Sequence, residues 1–209
     1  MARLLGILGG TFDPIHFGHL RPAYEMMQSV GLEQVRFLPN RVPPHRQQPW
    51  LDAKTRRQLI ELAIADVDGF VLDDRELKRD GPSYMVDTLA DLKHDFPEHQ
   101  LCLMMGMDAF AGFIQWHRWQ DILNLCHLIV ATRPGIVKPD FAEYRDEIES
   151  RFCAKPEALV EGQSGQILLQ SVTLLDISAS QIRQILSAGS SIRYLVPESI
   201  RERLEAGQS

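Results

Sequence analysis

Short apolar runs alternate along the chain with longer stretches of helical spacing. Leu4 to Leu8 is an apolar run ending in Gly9-Gly10, the pattern of a buried strand that leaves through a tight turn. Leu20 to Val30 has helical spacing, and Gly31 stands where a left-handed residue would stop that helix. Val35 to Leu38 reads as a second strand, closed by Pro39-Asn40, and residues 41–51 hold three prolines without periodicity, a loop. Ala53 to Val67 is predicted helical from Leu59, Leu62, Ala63 and Asp66, and Phe70 to Leu72 is a third strand. Tyr84 to Phe96 reads as a helix capped by Ser83. Leu101 to Met105 is a fourth strand ending in Gly106, and His127 to Ala131 a fifth ending in Arg133-Pro134-Gly135. Ile167 to Leu169 is a late strand, followed by short helices near 179–188 and 197–205.

Strands that alternate with helices predict an α/β fold: a Rossmann-like, doubly wound parallel sheet with helices on both faces and a small C-terminal helical segment. Its crossovers should be right-handed. Residues 136–165 break the pattern. They are rich in charge (Asp140, Glu143, Arg145, Asp146, Glu147, Glu149), end in Gly-Gln-Ser-Gly, and are expected to form a surface insertion in a single domain spanning 1–209. The 209 residues, 44% hydrophobic and 24% charged, are ordinary globular values and exclude disorder. No apolar run approaches the ~20 residues of a membrane span, and the amino terminus lacks a signal-peptide cleavage site. Three cysteines are too few for a disulfide framework, so a reducing cytoplasm is expected. A net charge of −6 argues against nucleic acid and for small phosphorylated ligands held by a few aimed donors.

Chemistry concentrates in Gly9-Gly10-Thr11-Phe12-Asp13-Pro14-Ile15-His16-Phe17-Gly18-His19, at the carboxyl end of the first strand, where open α/β sheets bind ligands. The glycine spacing fits neither a Walker loop nor a dinucleotide fingerprint. Adjacent glycines let backbone N–H groups approach a bulky anion. His16 and His19, three apart, share a face on a first helical turn, where unsatisfied N–H groups and the helix dipole also favour phosphate. A His-x-x-His pair could also be half of a metal site, to be completed by His45 or Asp13. Far downstream, Ile177-Ser178-Ala179-Ser180-Gln181-Ile182-Arg183 offers Ser178 or Ser180 as a helix cap and Arg183 as a planar phosphate fork.

The first segment, with its His-x-Gly-His core, resembles the signature of the nucleotidyltransferase superfamily, and residues 177–183 resemble that superfamily's second signature. Four further stretches are similar to the bacterial nicotinate-nucleotide adenylyltransferases: 39–46, Gly81–Leu89, Gly106-Met107-Asp108 and Trp116-His117-Arg118-Trp119. That resemblance implies an enzyme of NAD biosynthesis that transfers AMP from ATP to nicotinate mononucleotide, releasing pyrophosphate. It implies catalytic roles for His16, His19 and Arg183. ATP would lie on Gly9, Gly10, Thr11, Phe12, His16, His19, Gly106, Ile177, Ser180 and Arg183. The mononucleotide would meet Asn40, His45, Arg46, Tyr84, Met85, Asp108, Trp116, His117 and Arg133. Trp116 would stack on the cationic pyridine ring, worth ~0.5–2 kcal/mol, and backbone N–H groups at Met85 and His117 would meet its carboxylate. The family often has Thr where this chain has Met85.

The acceptor phosphate is already ionised, so no general base and no protein nucleophile is required, and no dedicated metal site is expected. Mg²⁺ would arrive with ATP. ATP binding is expected to draw a proton onto the histidines, because several ligand charges outweigh the helix dipole. Three other readings remain at this stage: a nucleotide-binding module without turnover, a metal-dependent phosphohydrolase built on the His-x-x-His pair, and an adenylyltransferase for nicotinamide mononucleotide or another phosphate acceptor.

Overall fold

Both sides of the central strands carry apolar residues, so the sheet has to be covered twice. On one face Leu4, Cys102, Met104, Ile129, Ala131 and Leu168 share a cluster with Ala23, Met26, Ile60, Ala63, Ile182 and Leu186. On the other, Leu5, Ile7, Leu101, Leu103, Met105, Leu128, Val130 and Ile167 pack with Val86, Leu89, Phe110, Trp119 and Ile122. Strand residues one apart go to opposite clusters, the period of two that a pleat imposes.

The computed structural model describes residues 3–41, 48–81, 83–133, 135 and 138–207. In chain order the elements are β1 (Arg3–Gly10), α1 (Phe17–Val30), β2 (Gln34–Pro39), α2 (Ala53–Ile64), β3 (Phe70–Leu72), α3 (Arg75–Lys78), α4 (Met85–Asp95), β4 (His99–Gly106) and α5 (Met107–Ala111). They continue with α6 (Trp119–Leu125), β5 (Cys126–Thr132), α7 (Arg145–Glu149), β6 (Phe152–Cys153), α8 (Glu157–Glu161), β7 (Ile167–Ser171), α9 (Ala179–Ser187) and α10 (Glu198–Ala206). The seven strands pair in parallel in the order β3-β2-β1-β4-β5-β7-β6. This is the doubly wound Rossmann-like α/β fold. The chain winds outward from β1 to β3, returns to β4 on the other side of β1, and winds outward again through β5 to the edge strand β6, with β7 inserted between those two. The β1/β4 boundary is therefore the switch point, and ligands of such sheets bind beyond the carboxyl ends there. Register sets Gly10 beside Pro39 and Leu8 beside Met104, which brings the ends of β1, β2 and β4 together.

Local chemistry explains several boundaries. Gly31 closes α1 at φ 75° and donates to the Met27 carbonyl. Asp52 caps α2 by accepting from the Thr55 amide at 2.8 Å. Two expectations change. Ser83 does not cap α4: Tyr84 occupies the cap position, without a side-chain bond. Residues 136–165 are not merely a surface insertion, because their described part supplies strand β6 at the sheet edge and buries Phe141, Ile148 and Leu159. Their charged residues mark the outer faces of short helices whose inner faces are apolar. Among the described residues no helix is long and apolar enough to cross a membrane.

Candidate active site

The turn after β1 is tied down from three sides. Phe12 adopts φ 49° and buries its ring against Phe37 and, edge-on, His19. Its side chain is thus spent on packing. Only its backbone is left for the ATP role that the resemblance implies. Asn40, just past β2, donates its amide N–H to the Gly10 carbonyl at 3.1 Å and its side-chain Nδ2 to Thr11 Oγ1 at 3.4 Å. Its Oδ1 is buried and has no hydrogen-bond partner among the described residues. Asp13 is buried, and its two carboxylate oxygens accept from the amides of Trp50 (2.8 Å) and Leu51 (2.9 Å). Those oxygens serve the loop ahead of α2, which weakens Asp13 as the third ligand of a metal held by His16 and His19.

The two histidines open α1. His16 is the extended cap residue and is buried; His19, one turn on, is half-buried, and the ring centroids lie 3.8 Å apart. Burial pushes His16 down to about 4. Burial, then the neighbouring His16, pushes His19 down to about 3. The rings are therefore neutral at pH 7. The His16 backbone N–H donates to His19 Nδ1 at 3.3 Å, which assigns the proton of a neutral His19 to Nε2. A second proton on that ring would set N–H against N–H. The geometry consequently opposes the expected proton uptake at His19, and a neutral Nε2–H donor is the form that the fold favours.

The second motif closes on the first. Ser178, rather than Ser180, caps α9, accepting from the Gln181 amide at 3.1 Å. Ser180 Oγ instead accepts from Arg183 Nη2 at 3.1 Å, and Arg183 Nη1 donates to the Asp13 carbonyl at 2.6 Å across 170 positions of sequence. The same guanidinium lies 3.5 Å from the Asp13 carboxylate. Gly18 marks a further meeting point. A Cβ there would stand 2.8 Å from both His16 Nδ1 and the Ile177 carbonyl oxygen, so only glycine lets the two motifs approach this closely.

On the β4 side, the Met85 methyl lies over Gly9, 2.7 Å from where a Cβ would be. Tyr84 and His117 pair their rings at 4.3 Å, joining the start of α4 to the segment before α6. Trp116 is half-buried and rests on Phe113, whereas Trp119 is core. Gly106 ends β4, with the exposed Asp108 folded back so that its Oδ1 would lie 2.6 Å from a Cβ on Gly106. Arg133 is exposed at the end of β5, two strands from β1, and has no side-chain hydrogen bond among the described residues. His45 and Arg46 lie outside the described residues.

Two side chains that organise the site were absent from the sequence-derived set. Asp13 stood inside the motif but was weighed only as a metal ligand. Arg56 had a visible signal: it sits three and seven positions before Leu59 and Ala63, a charge on the apolar face of α2. A charge placed there has to find partners inside.

Comparison with known proteins places the chain in a family. The cytidylyltransferase-like family model matches residues 7–185. A protein of Aeromonas hydrophila named "Probable nicotinate-nucleotide adenylyltransferase" is 46% identical over 95% of this chain and 92% of its own length. One of the same name from Halorhodospira halophila is 45% identical over 98% and 94%. Among solved structures, the nicotinic acid mononucleotide adenylyltransferase of Plasmodium falciparum complexed with NaAD superposes with a TM-score of 0.71 at 17% identity, covering 98% of this chain and 96% of that one. That likeness speaks for the fold. Near-complete matches at 45–46% identity speak for more, and the chain belongs to the nicotinate-nucleotide adenylyltransferases of the cytidylyltransferase-like family of nucleotidyltransferases.

Proposed function

We propose that this enzyme transfers the adenylyl group of ATP to nicotinate mononucleotide, giving deamido-NAD and pyrophosphate. The observation that carries the reading is the bond from Arg183 to the Asp13 carbonyl, which joins two remote phosphate-binding motifs at the carboxyl end of β1. The relatives' names supply the acceptor.

An oxygen of the mononucleotide phosphate attacks the α-phosphorus of ATP in line. The bond from that phosphorus to the α,β-bridging oxygen breaks, and pyrophosphate leaves with the electron pair. Nothing in this step needs a protein nucleophile, so the residues act by position and charge. The β1 turn offers backbone N–H groups, the neutral His16 and His19 rings donate to the phosphates around the breaking bond, and Ser180 with Arg183 steadies the β,γ end. Mg²⁺ comes as part of the ATP substrate. Asp13, the carboxylate inside the first motif, already satisfies two backbone amides, which fits a cation held by phosphate and water. On the acceptor side Asn40, Tyr84, Met85, Asp108, Trp116, His117 and Arg133 form the set that we assign to the mononucleotide. A cytoplasmic location suits three cysteines that are all free thiols.

The test is pyrophosphate release from ATP with nicotinate mononucleotide, nicotinamide mononucleotide or neither. Turnover with the nicotinate compound at least tenfold above the other arms is expected. Equal rates with both acceptors would reassign the substrate, and no release with either would overturn the reading.

A further inference from the structure

Arg56 projects from the first turns of α2 into the interior and is 1% exposed. Every hydrogen bond it donates among the described residues goes to a backbone carbonyl. Nη1 reaches Thr11 at 2.7 Å, Nη2 reaches Asn40 at 2.9 Å and Arg41 at 3.2 Å, and Nε reaches Leu51 at 3.3 Å. These carbonyls belong to three separate segments: the turn after β1, the chain leaving β2, and the approach to α2. Asp13 works on the same joint from the other side, holding the amides of Trp50 and Leu51, and with Asp52 it supplies the compensating negative charge.

The segments joined are those that the reaction must align. Thr11 follows the glycines of the ATP turn, and Asn40 opens the loop assigned to the acceptor. We propose that Arg56 is a positioning residue that fixes the distance between the ATP turn and Asn40 just past β2, so that attacking oxygen and α-phosphorus meet in line. The inference rests on the adenylyl-transfer reading and adds to it a residue that touches neither substrate. A rigid guanidinium fork suits the task, because it presents divergent donors in one plane. A lysine ammonium keeps the charge but cannot span carbonyls on three segments. Loss of alignment by about 1 Å costs up to ~10²-fold in rate while each substrate still binds its own half-site.

The experiment compares wild type, Arg56→Lys and, as a control on the same helix, Arg57→Ala, whose partners are the exposed Glu61 and the half-buried Asp74. Folding is followed by circular dichroism, the Kd of ATP and of nicotinate mononucleotide by calorimetry, and kcat by pyrophosphate release. Expected for folded Arg56→Lys is a kcat lower by about 10–100-fold, both Kd values within threefold of wild type, and Arg57→Ala unchanged. A kcat within threefold, or Kd values that weaken in step with kcat, would overturn the proposal. If Arg56→Lys fails to fold, the wild-type enzyme decides by NMR. Resolved, slowly exchanging Arg56 Nη protons, unchanged when both substrates bind, are expected, and a freely rotating guanidinium would overturn it. An inactive wild type would sink the adenylyl-transfer reading instead.

Discussion

Gly18→Ala adds a single methyl group where the two motifs touch, and the structure fixes what that group would meet. Its Cβ would lie 2.8 Å from His16 Nδ1 and 2.8 Å from the Ile177 carbonyl oxygen, against the 3.4 Å at which ordinary contact begins. Two neighbours would have to give by roughly half an ångström, an overpacking cost of ~1–3 kcal/mol. Part of that is offset, because alanine is a better helix former than glycine by ~1 kcal/mol and Gly18 lies within α1. Net stability should therefore fall by only ~0–2 kcal/mol, a Tm shift of at most about 8 °C for a chain of this size. Activity should suffer more. The atoms displaced are the His16 imidazole, to which we assign a role at the phosphates, and the backbone leading into Ser178 and α9, and misplacement on this scale costs up to ~10²-fold. Pyrophosphate release with both substrates saturating, read beside calorimetric melting, separates the two effects. A folded Gly18→Ala enzyme that turns over within threefold of wild type would refute the claim that the motifs meet at this point.

Two other outcomes follow from the geometry. Trp116→Ala should raise KM for nicotinate mononucleotide by about 2–30-fold, the equivalent of ~0.5–2 kcal/mol of lost stacking, and leave KM for ATP unchanged; equal losses for both would mark Trp116 as part of the Phe113 packing alone. Stability should drop on mild acidification. His16 and the fully buried His127 are held near 4 by burial, whereas an unfolded histidine titrates near 6.5. Between those values the unfolded chain binds more protons, so stability declines as pH falls from 6.5 towards 4. From pH 7 to 5 these two rings account for at most about 4 kcal/mol, and His19, held lower still, adds in the same direction. Urea unfolding at both pH values checks this, and equal stabilities would contradict it.

The order of strands and helices was legible because apolar runs and helical spacing report burial directly. Gly31, Pro39 and Gly106 punctuate it where the backbone requires. The two motifs that we assign to phosphate also stood out, since their residue types are costly to keep together for packing alone. What stayed hidden was the work done by polar groups on backbone. No side-chain pattern shows that Arg56 will bind carbonyls on three segments, or that Asp13 will be used up by the amides of Trp50 and Leu51. The tautomer of His19 was invisible too, because a backbone N–H sets it. The 136–165 segment misled for a related reason. In short helices such as α7 and α8, one buried residue each, Ile148 and Leu159, is too little to announce a face.

The account stands on Arg183 and the first motif gripping the same triphosphate, and Arg183→Ala tests this most directly. Its partners are the Asp13 carbonyl and Ser180, so its removal leaves the core intact. Steady-state pyrophosphate release should show kcat/KM for ATP lower by at least tenfold, as expected for a lost charge-assisted contact of ~1.5–3 kcal/mol, with KM for nicotinate mononucleotide within threefold of wild type. An Arg183→Ala enzyme that uses ATP as well as wild type, or that loses affinity for the acceptor alone, would contradict it.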